Sequence, residues 1–240
     1  MPDFPDGLFA DGFAIVPKVL SLSEVTAARE ACARALTGAG AASSVLADRD
    51  GAAYGARNLL QLWPGVADLV RTPKLALLLT QILGPDAGLV RVLYFDKPPG
   101  HSWALPWHRD LTIAVKQHGP LGRFNRPTTK AGVPHVEAPK DLLATMLTVR
   151  IHLDDVTDAN GPLRVIPGSH ATTADRAEVI LRCHAGDAVL MRPLLLHASG
   201  QSAEGHAEHR RTIHLEFAPS QELGEEYEWW EFVRIMPHVA

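Results

Sequence analysis

The sequence predicts an α+β protein in which helices come first and an antiparallel β-barrel or jelly roll follows. Three observations carry that expectation. Apolar residues in the first third recur at helical spacing. Beyond Gly84 the pattern shortens to alternating runs bounded by Gly and Pro. The 240-residue length suits one large barrel and can bury a core without disulfide staples. The helical part is expected over about 1–87 and the strand core over about 88–218 of a single 1–240 domain, with no repeat and no linker.

In chain order, Ser21-Leu22-Ser23-Glu24 spells a capping box, in which a side chain at each end satisfies a free backbone N–H of the other. Leu22, Val25, Ala28, Cys32 and Leu36 then share one helical face, and Gly38 supplies the stop. The small residues from Gly38 to Ser44 are expected to form a flexible surface loop. A second helix should start at Thr72, with Pro73 at its first position, and end at Gly84-Pro85. Leu89 to Phe95 reads as a strand running into the turn Lys97-Pro98-Pro99-Gly100. Leu147, Val149, Ile151 and Leu153 alternate with Met146, Thr148, Arg150 and His152, the pattern of a half-buried strand. Shorter strands are expected at Leu163 to Ile166, closed by Pro167-Gly168, and at Ala188 to Arg192, opened by Gly186-Asp187. Arg210 to Phe217 should form the last strand. The Pro- and Gly-rich stretch Gly119 to Pro139 reads as a long insertion between strands, either a functional lid or a disordered segment.

Composition narrows the function classes. With 23 Lys+Arg against 27 Asp+Glu, the net charge of −4 gives no basic surplus for nucleic acid. No apolar run approaches the length of a membrane span, and the first residues lack the pattern of a signal peptide. Cys32 and Cys183 lie in helical and strand patterns, so both read as buried thiols in a reducing cytoplasm. A cytoplasmic protein acting on a small molecule is expected.

The chemistry starts at Trp107-His108-Arg109-Asp110. Side chains two apart on an extended segment project to one side, so a single metal can take both His108 and Asp110. A second imidazole from another strand completes the two-histidine, one-carboxylate facial triad that leaves positions open on Fe(II) for O2 and a co-substrate. His197 fits, since it follows a Gly-Asp turn and an apolar strand and precedes the small residues Ala198-Ser199-Gly200. Shortly beyond it comes Arg210-Arg211-Thr212. A 2-oxoglutarate bound through its keto-acid end would leave a far carboxylate, which a guanidinium fork suits. Alternation places Arg210 with Thr212 on the inward face, opposite Ile213, Leu215 and Phe217, and leaves Arg211 either toward solvent or behind the residues that touch the ligand.

Together, Leu105-Pro106-Trp107-His108-Arg109-Asp110-Leu111, Asn160-Gly161-Pro162-Leu163-Arg164-Val165-Ile166-Pro167-Gly168-Ser169-His170, and His197-Ala198-Ser199-Gly200-Gln201 with Arg210-Arg211-Thr212 resemble the phytanoyl-CoA dioxygenase family from about Val90 to Phe217. The resemblance implies a double-stranded β-helix (cupin-like jelly roll) with N-terminal packing helices, using Fe(II), 2-oxoglutarate and O2. By position, it makes His108, Asp110 and His197 metal ligands, Arg210 the holder of the co-substrate carboxylate and Ser199 a second contact to it. The gap from His197 to Arg210 is slightly longer than the family's, and a short insertion around Glu204-Gly205-His206 absorbs it. The implied activity is hydroxylation of an aliphatic C–H of a small molecule, with release of succinate and CO2.

Two rival functions keep the same residues: a cupin-like small-molecule binder without oxygen chemistry, and a zinc hydrolase that would leave Arg210 and Ser199 without a task. Other polar residues receive structural readings. His170 should orient its loop, His152 and His214 should be hydrogen-bonded barrel histidines, and His206 and His209 should be solvated. Asp154-Asp155 should cap a strand end, and Trp229-Trp230 should pack outside the barrel. Trp103 and Trp107 are read as pocket lining or core, and Arg57-Asn58 and Lys97 as caps, ion pairs or substrate contacts.

Overall fold

The computed structural model describes residues 7–38, 43–172, 176–224 and 227–235. Most of the expected loop after Gly38 and the first six residues lie outside them. The first part holds strand β1 (Phe13–Val16), helix α1 (Leu22–Gly38), strands β2 (Val45–Ala47) and β3 (Ala53–Ala56), helix α2 (Leu59–Leu62), a 3-10 turn (Pro64–Val70) and helix α3 (Pro73–Leu83). The capping box forms as the sequence suggests: Ser21 N–H donates to Glu24 Oε2 at 2.7 Å and Glu24 N–H donates to Ser21 Oγ at 3.3 Å. The buried face of α1 is Val25, Ala28, Cys32 and Leu36, whereas Leu22, expected on that face, is 73% exposed because it opens the first turn outside the packed stripe. Helix α3 starts at Pro73 and stops at Gly84, as expected.

Then come β4 (Gly88–Phe95), β5 (Leu105–His108), β6 (Thr112–Ala114), β7 (Asn125–Lys130), β8 (Val133–Glu137), helix α4 (Lys140–Thr145), β9 (Leu147–His152) and β10 (Leu163–Val165). The chain closes with β11 (Val179–Leu181), β12 (Ala188–Met191), β13 (His197–Ser199), β14 (Thr212–Ala218) and β15 (Val233–Arg234). The pairings are antiparallel and make a large sheet, β1-β12-β9-β14-β4-β3-β2 with β15 beside β4, and a smaller facing sheet, β11-β10-β13-β5. Two facing antiparallel sheets are the double-stranded β-helix, and α1 and α3 cover the outer face of the larger one.

The alternation along β9 has a different meaning from the one expected. Leu147, Val149 and Ile151 join the helix-covered core, but Thr148, Arg150 and His152 are buried too. Their face looks into the space between the sheets, not to water. Register carries this interior row across β14 and β4: Glu216 stands opposite Thr148 and Arg91, His214 opposite Arg150 and Leu93, and Thr212 opposite His152 and Phe95. A polar face buried between two sheets is where a polar ligand can be held.

The 119–139 insertion is ordered. Strands β7 and β8 form a hairpin that joins β6 in a three-stranded sheet, and Phe124, Val136 and Trp229 seal it onto the outside of the barrel. Both cysteines are free and buried, as expected.

Candidate metal centre

Strands β5 and β13 pair so that His108 lies directly opposite His197, with ring centroids 4.1 Å apart. Each ring is held by the same device. His108 Nδ1–H donates to the Pro106 carbonyl at 2.7 Å, and His197 Nδ1–H to the Leu195 carbonyl at 2.8 Å. A carbonyl only accepts, so this fixes the tautomer and turns each Nε2 lone pair toward the cavity. Asp110 completes the group, its Oδ1 lying 3.8 Å from His108 Nε2 and its Oδ2 lying 3.7 Å from His197 Nε2. The three ligand atoms fall within 4.8 Å of one another.

Backbone and neighbours lock this triangle. Asp110 N–H donates to the Pro193 carbonyl at 2.9 Å, while Arg109 Nε and Nη2 donate to the carbonyls of Leu194 and Ser169. Ser169 Oγ in turn accepts the Leu196 N–H at 2.8 Å, so the Pro-Gly-Ser-His turn braces the strand that carries His197. Burial alone would raise the Asp110 carboxyl, but His197, His214, His108 and Arg91 hold it below its ordinary value. Burial pushes His197 down to about 4 despite Asp110. A neutral imidazole and an ionised carboxylate are the forms that bind a divalent cation. Asp110 Oδ2 is buried with no hydrogen-bond partner, so the donor set fits an ion.

Arg210 and Ser199 line the same cavity. Arg210 is 1% exposed, its Nε and Nη1 have no partner, and burial and the nearby Arg150 both disfavour its charge. Such a cation calls for an anion. Its neighbour Arg211 leaves the cavity and grips Asp154 through Nε at 2.8 Å and Nη2 at 2.7 Å.

A family model for phytanoyl-CoA dioxygenase matches residues 9–210. The chain belongs to the phytanoyl-CoA dioxygenase family. A curated relative, L-proline trans-4-hydroxylase from Streptomyces griseoviridis, is 34% identical over 103 residues, which is 43% of this chain and 31% of that protein's length. Among solved structures, the α-ketoglutarate-dependent carbocyclase SnoK of nogalamycin biosynthesis is 19% identical with a TM-score of 0.67, covering 92% of this chain and 85% of SnoK. EctD from S. alaskensis, solved with 2-oxoglutarate and 5-hydroxyectoine, is 18% identical with a TM-score of 0.67 over 88% of this chain and 73% of its own. AviO1 from Streptomyces viridochromogenes is 26% identical with a TM-score of 0.62 over 89% of this chain and 92% of its own.

From sequence, Arg91 and Glu216 were not assigned to the cavity, while Lys97 and Trp103 were left open between structural roles and ligand contacts. Lys97 is fully buried at the end of β4, donating to the carbonyls of Gly161 and Gly200 and, at 3.4 Å, to Ser199 Oγ. Burial, Arg210 and Arg150 push its pKa down to about 7. The close approach of Lys97 and Gly200 explains Gly161, where a side chain would collide with both. Arg91 and Glu216 form a buried ion pair in the cavity wall, with Arg91 Nε donating to Glu216 Oε2 at 2.9 Å. Trp103 lines the cavity, and Trp107 lies on the outside beneath Arg164.

Two histidine readings need correction. His209 is not simply solvated: it hydrogen bonds Asp96 at 2.8 Å and ties the 200–211 loop to the end of β4. His152 is not hydrogen-bonded, since both its ring nitrogens are buried without a partner between Arg150 and Arg210. His214 does behave as expected, contacting Arg150 and Glu216.

Proposed function

We propose that the protein is an Fe(II)- and 2-oxoglutarate-dependent dioxygenase of a small molecule, acting as one catalytic domain in a reducing cytoplasm. The observation that carries the assignment of roles is the buried, partnerless Arg210 guanidinium in the same cavity as the His108, Asp110 and His197 triangle. A hydrolytic zinc site has no use for that cation so placed, and a bare cupin binder has no use for the open metal triangle beside it. His108 and His197 would hold the iron through Nε2 and Asp110 through its carboxylate, with Arg210 and Ser199 on the distal carboxylate of 2-oxoglutarate. With O2, the bound iron and 2-oxoglutarate supply the oxidising power for an unreactive C–H bond and release succinate and CO2.

The chain's own residues then do four things. The Pro106 and Leu195 carbonyls keep both imidazoles in the ligating tautomer. The Arg109 and Ser169 contacts fix the spacing between β5 and β13. Arg210 offsets the charge of the co-substrate's distal carboxylate, and Lys97 holds Ser199 and the Gly161 and Gly200 backbone behind it. The Arg91–Glu216 pair and Trp103 shape the space left for the substrate.

The proline hydroxylase relative makes L-proline the first compound to try. The test is aerobic incubation with Fe(II), 2-oxoglutarate and a panel of small amino acids, reading succinate by NMR and a gain of one oxygen by mass spectrometry. Succinate formation that needs Fe(II) and is lost in Asp110→Ala is the expected result. No succinate with any compound, and none uncoupled from substrate, would contradict the reading.

A further inference from the structure

Arg150 projects from the middle of β9 into the cavity that holds the triad, and among the described residues no carboxylate hydrogen bonds to it. Its Nη1 donates instead to His214 Nδ1 at 3.0 Å, and His214 Nε2 donates to Glu216 Oε1 at 3.2 Å. Its Nε is buried with no partner, and the Phe95 ring, 5.8 Å from the guanidinium carbon, closes one side. A buried guanidinium held by a neutral imidazole, with a donor left over, lacks an anion.

Its level in the barrel says which anion. The inward positions of β14 are Thr212, His214 and Glu216, Arg210 lies just before the strand, and Arg150 stands opposite His214. Arg210 stands four residues from His214 along the chain, yet the two guanidiniums share one cavity and Arg150 disfavours the charge on Arg210, so they are close enough to flank one short dianion. Arg150 lines the same cavity as His108, Asp110, His197 and Arg210, and it interacts with both Asp110 and Arg210, so it stands between Arg210 and the three candidate metal ligands. The co-substrate carries two carboxylates. Arg210 answers the distal one, and the other must lie beside the metal.

We propose that Arg150 binds the 1-carboxylate of 2-oxoglutarate, so that one arginine of β9 and one just before β14 hold the two ends of the dianion. This rests on the oxygenase reading and adds a binding residue to it. The expected consequence is that Arg150 acts on every 2-oxo acid, whereas Arg210 acts only on those with a distal carboxylate.

The test is anaerobic titration of the Fe(II)-loaded protein with 2-oxoglutarate and with pyruvate, which lacks the distal carboxylate. Binding is read as the visible metal-to-keto-acid band or as displacement of it. Arg210→Gln should weaken 2-oxoglutarate about tenfold to a hundredfold and leave pyruvate unchanged. Arg150→Gln should weaken both by a similar factor while Fe(II) binding alone stays as in the wild type. If Arg150→Gln does not fold, as judged by thermal melting, Arg150→Lys carries the test through a smaller loss for both acids. Unchanged pyruvate binding in the folded Arg150 variant would overturn the proposal. A wild-type protein that binds neither acid would instead overturn the oxygenase reading beneath it.

Discussion

Asp110 stands in demanding surroundings, because its carboxylate is buried among imidazoles and one of its oxygens has no partner. Asp110→Ala should lower Fe(II)-dependent turnover to background while leaving the melting temperature of the metal-free protein little changed. Full activity in that variant would show the ligand set to be wrong. Glu216 makes a different prediction. Burial would raise its carboxyl, but Arg91 and His214 outweigh burial and hold it below 4.5. Since the folded-state pKa lies below the unfolded one, the pair's contribution is fully present above pH 4.5 and is lost as pH falls through the lower folded value. Glu216→Ala leaves Arg91 buried and alone, which should cost about 3–5 kcal/mol at pH 7 by chemical denaturation. A loss well under 1 kcal/mol would mean that water replaces the carboxylate. At this scale the sequence was informative where residues cluster in motifs: His108 and Asp110 sit two apart, and Arg210 follows His197. Arg91, Arg150 and Glu216 stand in no motif. Nothing but register brings them together, and register cannot be read from one strand.

Single elements were legible wherever local chemistry decides them. Ser21 and Glu24 announce α1, and Pro73 and Gly84 bracket α3, because caps depend on a few neighbouring residues. The hairpin in the 119–139 insertion was not legible. Its two-residue turn is Ala131-Gly132, with φ of 51° and 78°, between the paired Lys130 and Val133. Left-handed backbone at both positions is a hairpin turn that usually carries Asn-Gly, and Ala hides the signal. That alanine also costs stability. Ala131→Gly should raise the stability of the protein by about 1 kcal/mol, read as an upward shift of the melting temperature. A lower melting temperature would mean that the turn does not hold this geometry. The strand β9 misled for another reason: alternation reports two unlike faces, but it does not say whether the polar one meets solvent or a closed interior.

For the whole molecule, burial between sheets and under helices makes a prediction about the thiols. Cys32 and Cys183 are both pushed up to about 12 by burial, so neither offers a thiolate at neutral pH. Native protein should resist a thiol-specific reagent, and both thiols should react once denaturant unfolds the chain; fast labelling of the native form would contradict the closed core. No helix among the described residues is long and apolar enough to cross a membrane. The facing sheets were foreseeable from helices followed by short strands, whereas the closed polar interior needed coordinates. One cation should sit between His108, Asp110 and His197, with a dianion reaching from it to Arg210. The most direct measurement is an anomalous difference map from crystals grown anaerobically with Mn(II) and 2-oxoglutarate. A single strong peak ligated by both Nε2 atoms and the Asp110 carboxylate is expected, with continuous density from it to the Arg210 guanidinium. A peak elsewhere, or a filled metal site with no density toward Arg210, would contradict it.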